Sequence, residues 1–299
     1  MTDRIPILFD TDIGSDIDDA VALAYLLRQP RCELLGITTV TGNPTTRAML
    51  ADAVCRAFGR NEVPIFSGVG RPFLIPQRQP DVPQANVLPR WPHRDPFAPH
   101  AAVDFLRQTI RARPGEITLL TVGPLTNAGL LYAMDPEIPS LLKRHVMMGG
   151  HYLNRAVGHG PTEWNTAGDP HATAVVFAAP LSSVTCIGLD VTTRCQLPAD
   201  DFRKRFSTGP LRIVADMAEA WFKRRPLVTF HDPLAAAVVF EPSLCQYAAG
   251  RVDVELQSTR LMGYTAFDGK ARPAPHHIAT EVAAERFFEH YFGVVAMPA

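Results

Sequence analysis

Cysteine is scarce in this chain, charge is balanced and no long apolar run occurs, and each shortage excludes a class of protein. The five cysteines, Cys32, Cys55, Cys186, Cys195 and Cys245, form no CxxC pair and show no framework spacing. That sets aside a disulfide scaffold in favour of free thiols in a reducing compartment. The 29 basic and 30 acidic residues leave a formal charge of −1, with no electrostatic footprint for nucleic acid or an anionic membrane. Nothing approaches the roughly 18 consecutive apolar residues of a membrane span. The run Ile5–Phe9 ends at once in aspartate, too short for a secretory core segment. Internal repeats and low-complexity tails are also lacking, and a soluble cytoplasmic enzyme is the expectation.

The 46% hydrophobic share over 299 residues is enough for a sizeable core. Ile5–Phe9 is expected as a buried parallel strand, and Asp18–Arg28 after it as a helix with Val21, Leu23, Ala24 and Leu27 inward. Leu34–Val40 is a β-branched strand, followed by Gly42-Asn43-Pro44 and a helix to Gly59. Ile117–Val122, His145–Met148 and Val184–Leu189 read as further strands, the first leading through Gly123-Pro124 into a helix ending at Met134. Helices are expected over Asp200–Phe222 and Asp232–Phe240, a late strand over Val252–Leu256 and a closing helix over Thr280–Phe292. Strands alternating with helices imply an α/β fold, a doubly wound, mostly parallel Rossmann-like sheet with additional C-terminal helices. The proline-rich stretch 71–99 and the turn-rich stretch 158–161 are expected as loops, the first as an active-site loop. In such sheets ligands lie outside the carboxyl ends of the strands. Asp10, Asp12, Asn43, Val122, Gly123 and Met148 all fall there.

Asp10, Asp12, Asp16, Asp18 and Asp19 place five carboxylates within ten residues. Helix capping accounts for Asp16 to Asp19 but not for Asp10 and Asp12, which end a strand. A hard cation held by oxygen ligands accounts for both, and the absence of nearby Cys or His favours calcium or magnesium over zinc. An EF-hand fails, because its glycine and glutamate positions counted from Asp10 hold Ser15 and Val21. A haloacid-dehalogenase-like phosphatase shares the strand-Asp-x-Asp opening, but Gly14 stands where that motif has Thr or Val.

Asp10-Thr-Asp12-Ile-Gly14 with Asp18-Asp19-Ala20 resembles the opening signature of the inosine–uridine nucleoside hydrolase family. Thr-Gly-Asn43-Pro, Val122-Gly-Pro-Leu-Thr-Asn, Met148-Gly-Gly, Glu163-Trp-Asn165 and His231-Asp232-Pro-Leu-Ala follow in the family's order over nearly the whole length. The resemblance implies one domain over 1–299 that hydrolyses the N-glycosidic bond of ribonucleosides with Ca2+, in salvage, as a homodimer or homotetramer. It makes Asp12 both calcium ligand and general base, with Asp19, Asp232 and the Val122 carbonyl as further ligands. Asp18, Asn43, Glu163 and Asn165 would bind the ribose oxygens, with Met148 packed on the sugar and Asn154 a candidate for the 5′-hydroxyl. His231 would protonate the leaving base, an imidazole being able to carry a proton near neutral pH.

The chain departs from the family form in two places. Two extra residues separate Gly14 from the Asp18-Asp19 pair, leaving Asp16 as an additional carboxylate. The family's His-Gly…Gly-Leu-Gly segment is replaced by Asp81-Val-Pro-Gln-Ala-Asn86 and a run through Trp91 and His93, so base preference does not carry over. Trp221 and Phe222 could stack on the base or fill the core. A non-catalytic calcium-dependent nucleoside binder is the competing class, against which stand Asp12 and His231, since pure binding needs no proton donor.

Overall fold

The central strand β1 (Ile5–Thr11) is apolar at successive positions because it is covered on both faces: Ile7 and Phe9 enter one core cluster and Leu8 the other. In this computed structural model, which describes residues 4–180 and 184–297, the remaining strands are β2 (Cys32–Thr39), β3 (Ile65–Ser67), β4 (Thr118–Thr121), β5 (Arg144–Met148), β6 (Val184–Ile187), β7 (Gln196–Pro198), β8 (Leu227–Thr229), β9 (Cys245–Val254), β10 (Thr265–Asp268) and β11 (His276–Val282). Nine form one sheet in the order β10-β9-β11-β6-β5-β4-β1-β2-β3, with β7 and β8 paired apart from it. From β3 to β11 neighbouring strands are parallel, and β9 is antiparallel to both β11 and β10. The order 3-2-1-4-5-6 is the doubly wound order, which reverses between β1 and β4 and opens a crevice there.

The same two-faced packing runs across the sheet. Leu120, Val146 and Ile187 face one cluster, while Leu119, Met147 and Cys186 face the other. The helix Asp18–Arg28 is buried nearly all round, since it lies against the sheet and also against the helix His231–Phe240. Alanines at 20, 22 and 24 and at 235, 236 and 237 keep both helices slim enough for that contact. The pairing sets two helix N-termini side by side at the carboxyl end of the sheet.

The structure corrects several expected boundaries. Gly209-Pro210 splits the expected helix Asp200–Phe222 into Ala199–Arg205 and Arg212–Phe222, because Gly209 adopts φ +58° and Pro210 cannot continue the ladder. The closing helix is Ala284–Val295, its expected first turn being spent on β11 between β6 and β9. The late strand is longer than Val252–Leu256 and starts at Cys245. Residues 71–99 are not structureless throughout, since Pro83–Arg90 forms a 3-10 helix. No helix among the described residues is long and apolar enough to cross a membrane.

Candidate active site

Asp18 and Asp19 occupy the first turn of one helix and Asp232 the first turn of its neighbour. All three are buried, and one oxygen from each lies within 4.8 Å of the others. Acidic groups are favoured at helix N-termini by the macrodipole, yet three within this distance repel. Burial, with each carboxylate's neighbours adding to it, holds the carboxyls of Asp18, Asp19 and Asp232 well above the usual range. Thr11 Oγ1 donates to Asp19 (2.5 Å), and the amide of Asp232 donates to Asp18 (3.2 Å). An all-oxygen, buried, electrostatically uncompensated trio suits a hard divalent cation.

Asp12 joins them from the end of β1. Its carboxylate is close enough to Gly123 that a side chain there would meet Oδ1 at 2.8 Å, which is why glycine must follow Val122 at the tip of β4. Arg47, wholly buried on the helix Pro44–Ala57, donates to the carbonyls of Thr41, Asp12 and Ile13. It braces the turn through Gly14, whose φ of +123° and contact with Val82 leave no room for a Cβ. Burial raises the Asp12 carboxyl, and the Arg47 guanidinium opposes the rise. Asp10 stands apart from the expected cation cluster. It lies beneath it, accepting from Thr38 Oγ1 (2.5 Å) and Asn127 Nδ2 (2.7 Å), with its second oxygen unpartnered and its pKa pushed up to about 7 by burial.

These groups floor a cleft of about 1070 Å³. Of the residues expected at the site, Asp12, Asp18, Asp19, Val122, Met148, Glu163, Asn165, His231 and Asp232 all line it. Asn165 Nδ2 donates to the Val122 carbonyl (2.7 Å) and the Met148 carbonyl (3.2 Å), joining the tips of β4 and β5. Glu163 caps the short helix Trp164–Gly168, accepting from the amides of Asn165, Thr166 and Gly150. Two expected residues are not brought in. Asn43 is exposed and spends its side chain capping the helix Pro44–Ala57 through the Thr46 amide. Asn154 is exposed in a left-handed turn (φ +53°), and its amide donates to the Tyr264 hydroxyl. Asp16, the additional carboxylate, lines the cleft and is pushed up to about 7, mainly by burial.

His231 differs from expectation in its charge. Its Nδ1 pairs with Thr192 Oγ1 (2.7 Å), and burial, assisted by the nearby His159, brings its pKa down to about 3. The ring in the free protein is therefore neutral at pH 7. The Thr192 hydroxyl can donate or accept, so this contact suits either neutral tautomer, one of which carries the proton on Nε2.

Sequence reading missed the residues that come from the proline-rich stretch. Gln79 Nε2 donates to Asp12 Oδ2 (2.8 Å), and its Oε1 accepts from the indole of Trp164 (2.5 Å), so one side chain spans the cleft. Gln84 ties the same stretch to the acidic turn, donating to the carbonyls of Ser15 and Asp16. Trp164, 57% exposed, and Trp221 line the cleft, whereas Phe222 packs edge-on against Phe202. No sequence motif signals Gln79 or Arg47.

The cleft brings a carboxylate able to accept a proton, Asp12, and an imidazole, His231, into one lining beside the acidic trio. Comparison with known proteins agrees over the whole length. The model of the inosine-uridine preferring nucleoside hydrolase family matches residues 7–289. The chain is 31% identical over 277 residues to uridine nucleosidase 1 of Arabidopsis thaliana, covering 88% of this chain and 81% of that one. It is 30% identical over 305 residues to the inosine-uridine preferring nucleoside hydrolase of Crithidia fasciculata, covering 97% and 95%. A solved purine-preferring ribonucleoside hydrolase from Gardnerella vaginalis superposes with a TM-score of 0.84 at 25% identity, covering 97% and 98%. Matched by the family's model over residues 7–289 and by relatives at 30% identity or more over most of both chains, the chain belongs to the inosine-uridine preferring nucleoside hydrolase family.

Proposed function

We propose that the protein splits ribonucleosides into ribose and free base with calcium held by Asp12, Asp19, Asp232 and the Val122 carbonyl. The observation that carries this reading is the meeting of Asp18, Asp19 and Asp232 on two helix N-termini, with Asp12 and His231 in the same cleft. When bound, the cation supplies Lewis acidity that lowers the pKa of water and orients it with the ribose hydroxyls.

The rest is done by the chain's own residues. Asp12, at the end of β1 in the same cleft, accepts the proton of the attacking water. The water oxygen bonds to the anomeric carbon as the C–N bond breaks, and the bonding pair leaves with the base nitrogen. With its proton on Nε2, His231 donates a hydrogen bond that stabilises the departing base as an anion, and the base takes its proton from solvent, so the neutral imidazole is unchanged at the end of the step. Asp18, Glu163 and Asn165 hold ribose oxygens, and Met148 packs against the sugar. The non-catalytic binder is disfavoured by the presence of Asp12 and His231 in one cleft, since binding alone needs no groups for proton transfer. Cytoplasmic location and a homodimeric or homotetrameric state belong to the proposal, and the five free, buried cysteines support the reducing compartment.

The test is release of free ribose from a nucleoside panel, with and without chelator, by native protein and Asp12→Ala. Release that chelator and Asp12→Ala both abolish is expected. Release unaffected by chelator would remove the metal from the reading, and no release from any nucleoside would remove the hydrolase.

A further inference from the structure

The cleft that floors itself with carboxylates has a mouth of the opposite charge. The helix Arg212–Phe222 ends in Lys223-Arg224-Arg225, which leads through β8 directly to His231. All three side chains are exposed and line the cleft, and Arg78 joins them from the proline-rich stretch. The triplet is held in a set turn, since the amides of Arg224 and Arg225 both donate to the Trp221 carbonyl and the Trp221 indole donates to the Leu227 carbonyl.

Several arginines elsewhere in the molecule meet carboxylates: Arg111 meets Asp135 and Glu137, Arg113 meets Glu33 and Glu116, and Arg203 meets Glu219 and Asp200. Among the described residues Arg78, Lys223, Arg224 and Arg225 form no ion pair. Lys223 is shared with the Glu219 carboxylate, and Asp81 is the one exposed carboxylate of this lining, so Arg78, Arg224 and Arg225 leave the opening net positive in a chain of net charge −1 and focus anions into it. A neutral base gives them nothing to bind. Glu163 and Asn165 reach the cleft from the helix Trp164–Gly168, whereas Lys223, Arg224 and Arg225 stand six to eight residues before His231 along the chain and line the same cleft.

We infer that the preferred substrates are N-ribosides whose base carries a carboxylate, gripped by the exposed arginines of the cleft lining, Arg224, Arg225 and Arg78. This rests on the hydrolase reading above. An arginine fork matches a carboxylate with two parallel hydrogen bonds, so the mouth selects charge on the leaving base.

Two matched pairs test it with calcium-loaded protein: nicotinate riboside against nicotinamide riboside, and 5-carboxyuridine against uridine. The carboxylate member is expected to have at least a tenfold higher kcat/KM in one pair or both. That ratio should shrink as salt rises and fall to within threefold of one in Arg224→Ala/Arg225→Ala. Equal rates within both pairs overturn the inference and leave the hydrolase standing. Preference for uridine 5′-monophosphate over uridine, lost in the same variant, places the anion on the sugar and overturns the assignment to the base. Calorimetry with free nicotinate and nicotinamide reads the same point without turnover: nicotinate should bind at least tenfold more tightly, and equal binding overturns the inference even in a protein that hydrolyses nothing.

Discussion

Removing calcium should lower the melting temperature, and the loss should depend on pH in a direction set by the acidic trio. At an ion concentration a thousandfold above its dissociation constant, binding to the folded state alone stabilises by about 4 kcal/mol. Unfolding a chain of 299 residues carries an entropy of about 0.6 kcal/mol/K, so the expected shift is about 6–7 °C. In the ion-free protein the carboxyls of Asp18, Asp19 and Asp232 are held above their ordinary range. The folded state then keeps protons that the unfolded state releases above about pH 4, so ion-free stability falls as pH rises from there. Calcium needs the ionised carboxylates, so its stabilising shift should be larger at pH 7.5 than at pH 5.5. Scanning calorimetry with calcium and with chelator at both pH values reads each sign. Asp232→Asn removes one of the repelling charges and should raise the ion-free melting temperature while abolishing the calcium shift. A wild-type shift below 1 °C at both pH values, or a full shift in Asp232→Asn, would refute the reasoning.

Asp12→Asn should lower kcat by roughly 10²- to 10⁴-fold, the range for losing a general base, in steady-state ribose release. Arg47→Met leaves the acidic turn without its buried countercharge and donors; a loss of about 3–5 kcal/mol is expected in denaturant unfolding. Gln79→Ala frees the Trp164 indole, so tryptophan emission should shift, and an unchanged spectrum would show that the bridge across the cleft does not form in solution. His145 is fully buried between Thr121 Oγ1 and Tyr132, and burial brings its pKa down to about 3. The unfolded state takes up its proton below about pH 6.5 while the folded state does not, so stability should fall with acid from there toward pH 3. Comparison of the pH–stability slope with that of His145→Gln isolates its share.

Much of the parallel sheet was legible because its strands are short apolar runs closed by polar motifs, and the site because those motifs end strands or open helices. Asp18 and Asp19 announce themselves beside a helix start, as does Asp232 after His231. What escaped reading is what depends on contacts distant along the chain. Gln79 meets Asp12 across 67 positions and Trp164 across 85, and Arg47 reaches the acidic turn across 35. Nothing local marks a glutamine in a proline-rich run as part of a cleft, or an arginine on a helix as wholly buried. Asn43 and Asn154, carried by the resemblance, spend their side chains on a helix cap and a surface turn in this structure. The environment of His231, between Thr192 and His159, is likewise set by residues distant along the chain.

The two helices that supply the acidic trio come from opposite ends of the chain, Asp18 and Asp232 being 214 positions apart. During synthesis, which runs from the N-terminus at about 5–20 residues per second, the first two carboxylates leave the ribosome long before their partner is made. A nascent chain thus has no complete pocket for an ion until β1 to β8 have been translated. An ion held by the trio would clasp the first helix of the chain to one made more than 200 residues later, and a truncated product lacking the last quarter would have nothing to fasten.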